Sequence, residues 1–197
     1  MRRFLLLVFT IALVVTACGD TNDPSATTTS TTMAMSNMDD ADMDDADMGD
    51  GDMGDMNMGD PTATRADEVE GAQVESADFA LLATRPPGHD DVAGTAWLAR
   101  HDMGTTVTLE LVGLPTGVDY IAHVHEGSCE EAGGDHYMFD PNGSEMPPNE
   151  IHLAFTSDAA GNGFMTAENH GVVGDNAQSV VVHPADLLDN KLACAEF

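Results

Sequence analysis

Basic side chains are nearly missing from this sequence: 6 Lys/Arg stand against 35 Asp/Glu, and Lys191 is the only lysine. Such a chain repels a phosphate backbone, so nucleic acid is excluded as a partner. Helical periodicity is missing too, since no stretch repeats its apolar residues at helical spacing beyond a turn or two, and this excludes a helical bundle. Long hydrophobic runs are scarce. The one from Phe4 to Val15 is too short to cross a bilayer comfortably. Cysteine occurs three times, at Cys18, Cys129 and Cys194.

What is present begins with an export signal. Arg2 and Arg3, the apolar run and the small residues before Cys18 have its charged, apolar and small-residue layout. Val15-Thr16-Ala17-Cys18 resembles a bacterial lipobox, which implies that residues 1–17 are removed and that Cys18 carries a lipid. The expected product is an extracytoplasmic, membrane-anchored lipoprotein on the cell surface or the periplasmic face. It keeps Arg65, Arg85, Arg100 and Lys191 against all 35 acidic residues, a formal charge of −31. With Cys18 lipidated, Cys129 and Cys194 remain as an even pair in an oxidising compartment, where a disulfide is the default expectation. Two thiolates serving as soft metal ligands are the alternative.

From residue 18 to about residue 76 no apolar periodicity is sustained, and the composition of Thr, Ser, Asp, Met and Gly predicts a disordered tether. Met33, Met35, Met38, Met43, Met48, Met53, Met56 and Met58 recur in it among aspartates. One reading is a solvated, self-repelling spacer. The other is capture of Cu(I), because thioether sulfur is a soft ligand and gains nothing by packing in so polar a segment.

After residue 76 the pattern changes to short β-like runs: Asp78 to Thr84, Gly94 to Arg100, Thr105 to Leu114, Asp119 to His125, Ile151 to Ser157, Gly163 to Ala167 and Ser179 to His183. Thr105 to Leu111 alternates as a half-buried strand does. Turn signals such as Pro115-Thr116-Gly117 and Gly174-Asp175-Asn176 separate the runs. One all-β domain over residues 77–197, an antiparallel Greek-key barrel or sandwich, is therefore expected.

His123 and His125 flank Val124 on one of these runs, so alternation sends both rings to one face. Such a pair suits one copper or zinc ion, and two surface histidines are the alternative. His136 follows in the loop Gly133-Gly134-Asp135-His136-Tyr137, and His183 ends the strand Ser179 to His183. Four imidazoles suit Cu(II).

Taken in order, Ala122-His123-Val124-His125-Glu126 with Cys129, Ala132 to Tyr137, Val181-Val182-His183 and Leu192-Ala193-Cys194 resemble the copper/zinc superoxide dismutase family. The resemblance covers about Asp78 to Phe197. It implies a Greek-key β-barrel, copper ligation by His123, His125, His136 and His183, and a Cys129–Cys194 disulfide. It also implies that His136 takes part in catalysis by carrying a proton.

The departures are informative. The stretch that supplies zinc ligands in the family offers only His152, in Pro147-Pro148-Asn149-Glu150-Ile151-His152-Leu153, so a zinc site is expected to be lost, with His152 its remnant or a strand-edge histidine. Without zinc, Asp135, Asp140 or Asp186 is expected to hold the second nitrogen of His136. The short stretch between His183 and Cys194 predicts an open copper, and Asp186 is matched to an aspartate that orients ligand imidazoles. Lys191 occupies the position of a catalytic arginine and keeps the charge without the bidentate fork. His89, His101 and His170 fit no motif and are expected at the surface. The function expected is a lipid-anchored, copper-dependent superoxide dismutase, with copper storage or delivery on the same scaffold as the alternative.

Overall fold

In the computed structural model, residues 56–197 are described. Alternation decides where each strand turns its side chains. Along Gly104–Val112 the sequence Val107-Thr108-Leu109-Glu110-Leu111 sends Val107, Leu109 and Leu111 into the core, and Ala96 and Leu98 of the neighbouring strand join them. In chain order the strands are β1 (Gln73–Asp78), β2 (Ala80–Leu81), β3 (Ala93–His101), β4 (Gly104–Val112), β5 (Asp119–His125), β6 (His152–Thr156), β7 (Gly163–Asn169), β8 (Ser179–Pro184) and β9 (Ala193–Glu196). They form two antiparallel sheets, ordered β1-β3-β4-β7 and β2-β9-β8-β5-β6. The chain crosses between sheets after β1, β2, β4, β6 and β7, as the expected Greek-key sandwich requires.

The core lies between the sheets. Tyr120, Ala122 and Val124 of β5 and Val180 and Val182 of β8 face Leu98, Leu109 and Leu111 of the other sheet. The alternate residues His123, His125, Val181 and His183 therefore point away from the core, toward the outer wall of the five-stranded sheet.

The domain begins earlier than expected. Residues 57–76, read from the sequence as tether, are folded against it. The Met58 carbonyl accepts from Ala154 N–H of β6 at 2.8 Å, and Asp60 N–H donates to Thr166 O of β7 at 2.7 Å, so this segment bridges the two sheets. Arg65 lies over Trp97, 4.9 Å from the ring centroid, and pairs with Asp67 and Glu110. Ala66 N–H donates to the buried Thr108 hydroxyl at 2.9 Å. The signal, Cys18 and the methionines from Met33 to Met53 lie outside the described residues.

Two strands were not expected. β1 is polar and exposed along most of its length at a sheet edge, and so lacks the alternation that marks a strand. β9 is short and contains Cys194, an expected disulfide position. Conversely, the run expected from Asp78 to Thr84 contributes only Asp78, at the end of β1, and the two residues of β2.

Cys129 and Cys194 are joined in a disulfide with Cα atoms 5.6 Å apart, which removes the alternative of thiolate ligands. It ties the short 3-10 turn Cys129–Glu131 to β9, and Cys129 N–H donates to Glu196 Oε2 at 2.7 Å. Closing a loop of 65 residues restricts the unfolded chain by about 4 kcal/mol in the entropic account. The double variant Cys129→Ser/Cys194→Ser is expected to lose stability of that order in urea unfolding, and an unchanged midpoint and slope would refute this role.

Candidate metal centre

The site grows from the outward face of β5 and β8. His123, His125 and His183 are 6 %, 0 % and 3 % exposed, so each ring has left water and must find its partners in the protein or in a ligand. Their rings converge, with centroids 6.3 Å apart for His123 and His125 and 5.5 Å for His123 and His183. One ring nitrogen from each of the three lies within 4.8 Å of the others.

Tautomers follow from the partners. A carbonyl only accepts, so the 3.2 Å contact of His125 Nδ1 with Gly134 O and the 2.7 Å contact of His183 Nδ1 with Leu188 O place the protons on Nδ1. The other nitrogens, His125 Nε2 and His183 Nε2, together with His123 Nδ1, are buried without a hydrogen-bond partner. Three buried, unpartnered imidazole nitrogens directed at one region form a donor set for a borderline metal such as copper or zinc.

His136 completes the set. Residues 135–137 pair with the end of β5: Tyr137 N–H donates to Val124 O at 2.8 Å, Glu126 N–H to Asp135 O at 3.0 Å, and His136 lies opposite His125. The His136 ring stacks on His123 with centroids 4.2 Å apart and stands edge-on to His125 at 4.7 Å. Thus all four histidines expected to bind copper come together. The loop needs Gly133 at φ +83°, where a Cβ would meet Val181 Cγ2 at 2.5 Å and the His125 ring at 3.0 Å.

The partner of His136 differs from expectation. Its Nδ1 contacts Glu150 Oε2 at 2.8 Å, and the same oxygen takes His152 Nε2 at 2.8 Å. Glu150 is 2 % exposed. None of the three aspartates expected here takes this place. Asp140 Oδ1 instead accepts from Asn142 N–H, Asp135 lines the neighbouring pocket, and Asp186 is exposed and acts on Tyr120. Nor does Asp186 orient a ligand ring, since the Leu188 carbonyl holds His183. A signal for Glu150 existed in the sequence: Ile151 enters the core, so Glu150 and His152 share the opposite face of one extended segment.

His152 is buried, stands opposite His123 on β6 and forms a second group of close ring nitrogens with His123 and His136. It begins the edge strand β6, yet it is buried and not at the surface. His89 also departs from expectation: it is buried, with Nε2 2.9 Å from Tyr120 Oη and Nδ1 3.2 Å from Pro86 O. His101 is half-buried against Thr106, and His170 is exposed as expected. None of these three belongs to a group of close ligand atoms among the described residues.

Lys191 lines the same pocket of about 440 Å³ as His125, His136 and Glu150. Its Nζ donates to Ala132 O at 2.7 Å and to Gly134 O at 3.3 Å, which ties its charge to the loop that carries His136.

Burial, and then the neighbouring histidines, push His123 down to about 2; burial, with His136 and Lys191 nearby, pushes His125 down to about 3. His183 and His152 are lowered chiefly by burial as well. These rings stay neutral in the folded protein while the unfolded chain takes up protons below the ordinary value of 6.5. The stability is fully present above that pH and is lost as pH falls toward the folded values. For the metal-free protein, His123 and His125 are each expected to remove about 1.4 kcal/mol per pH unit below 6.5. Denaturant unfolding between pH 7.5 and 5 measures it, and a flat profile would contradict the assignment.

No family model matches the chain, and no curated protein matches it. Among solved structures it is similar to a copper/zinc superoxide dismutase from Brucella abortus, at 19% sequence identity and a TM-score of 0.46, over 63% of this chain and 99% of that one.

Proposed function

We propose that the protein is an extracytoplasmic, copper-dependent superoxide dismutase held at a membrane by a lipid on Cys18, consuming two superoxide and two protons to release O₂ and hydrogen peroxide. The observation that carries this reading is the convergence of His123 Nδ1, His125 Nε2 and His183 Nε2, buried without partners, beside the half-exposed His136. Imidazole nitrogens are ligands that suit copper. Copper bound there would supply the one-electron chemistry, alternating between Cu(II) and Cu(I).

The residues around it supply the rest. Superoxide is an anion, and the chain from residue 77 carries three Lys/Arg against 19 Asp/Glu, so long-range repulsion must be overcome locally. Lys191, fixed by two carbonyls at the pocket that opens on His125 and His136, provides that field. With Nδ1 of His136 held by Glu150, Nε2 is the one nitrogen of that ring left to face the pocket, where it would hold either the copper or a proton but not both at once. Glu150 thereby supplies the anchoring that zinc would otherwise give, so zinc is not required in this reading. The methionines from Met33 to Met58 would collect Cu(I) for the site. The same scaffold would serve copper storage or delivery if turnover were slow, and superoxide consumption by the purified copper-loaded protein separates the two.

One copper per chain is expected to survive dialysis against excess zinc, and His125→Ala should remove the visible copper absorption and the activity together. Zinc held as tightly as copper and needed for stability would sink the zinc-free reading. Lys191→Ala is expected to lower the second-order rate about tenfold with copper content unchanged. Lys191→Arg should recover most of it, and the loss should vary with ionic strength, since screening at about 0.15 M acts beyond roughly 8 Å. Full activity of the alanine variant at every salt concentration would show that Lys191 guides nothing.

A further inference from the structure

The pocket that opens on His125 and His136 offers a metal ion a way to the buried histidines, and the groups that line it have a chemistry of their own. His136 is the outermost imidazole, with 36 % of its side chain exposed. Tyr137 is buried in the core and its N–H is held by the Val124 carbonyl, while the side chains on either side of it, His136 and Met138, line the same pocket. Met138 is half-buried and lines the pocket together with His125, His136, Glu145 and Glu150. It is the only sulfur in that lining among the described residues, because both described cysteines are closed in the disulfide.

A thioether in this position gains little from packing at the mouth of a polar pocket that holds Asp135, Glu145, Glu150 and Lys191, whereas it is a good ligand for a soft monovalent ion. The carboxylates of Glu145 and Glu150 favour any cation but do not distinguish Cu(I) from harder ions. Met138 does. We propose that Met138 Sδ is an entry ligand for Cu(I), a landing point at the pocket mouth from which the ion passes to His136 and then to the buried histidines. This rests on the copper reading of the histidine site and adds to it a route and an oxidation state for loading. Met138 makes no part of the final donor set, which is complete with the four imidazoles.

The test uses the full-length, metal-free protein and Met138→Leu, a swap of similar volume at a half-exposed position. Filling of the histidine site is followed anaerobically from a Cu(I)–bathocuproine disulfonate buffer, by the visible absorption that appears when aliquots are oxidised. A parallel series supplies Cu(II) sulfate, and silver(I), a redox-inert soft ion, is titrated while the methionine methyl resonances are observed. Met138→Leu is expected to slow Cu(I) filling roughly tenfold, the low end of what outer groups contribute at metal sites. The Cu(II) filling rate and the final copper content should not change, and the methyl signal that disappears in the variant should be among those shifted by silver. Equal Cu(I) rates in the two proteins overturn the proposal. So does an equal slowing of Cu(I) and Cu(II), which would mark a packing effect, or a loss of copper at equilibrium, which would make Met138 a permanent ligand. A wild-type histidine site that takes up no copper in either form overturns the underlying copper reading instead, and the two failures are distinguishable on that ground.

Discussion

An imidazole offers a lone pair from one nitrogen only when its proton is kept on the other. Most of the architecture around β5 and β8 follows from that constraint. His125 keeps its proton toward the Gly134 carbonyl, His183 toward the Leu188 carbonyl and His136 toward the Glu150 carboxylate. Two of these three partners are backbone atoms on loops, so the loop paths set the tautomers. Glu150 differs in bringing a negative charge into a wall of neutral rings, and it is shared between His136 and His152.

The loop between β5 and β6 is held from several directions. The disulfide fastens its beginning to β9, Gly133 lets it press against Val181 and the His125 ring, and the pairing of residues 135–137 with β5 fastens its middle. The Gly134 carbonyl is a point of coupling because it accepts from both His125 and Lys191. A displacement of this one peptide would alter a ligand tautomer and the placement of the positive charge together. Lys191 immediately precedes the buried stretch Leu192-Ala193-Cys194, so the same disulfide also restrains the backbone that carries it.

What could be read in the sequence was whatever rests on period-two alternation. His123-x-His125 declared a shared face, and the runs later found as β3 to β8 declared a sandwich, because burial on one side leaves a regular trace. Where no such trace exists, reading failed: β1 is a polar edge strand, and residues 57–68 are held by backbone hydrogen bonds and by Arg65 lying on Trp97, which leave little periodic signature. His136 and His183 were placed by resemblance to a family, since nothing local relates them to β5. The trace that points to Glu150 is short, one apolar residue between two polar ones, too brief an alternation to stand out beside the aspartates of the loops. His89 was assigned to the surface because its partner, the Tyr120 hydroxyl, is 31 residues away in sequence.

On β5 the inward residues Tyr120, Ala122 and Val124 build the hydrophobic core, while His123 and His125, each one step along, build the metal wall. Core and chemistry thus occupy opposite faces of one ribbon. Over evolutionary time the outward set can drift, exchange ligands or fall silent while selection on the inward set continues to preserve the sandwich. Descendants of such a scaffold could share an architecture long after their metal preferences had diverged, and the histidine face rather than the strand order is where kinship in activity has to be sought.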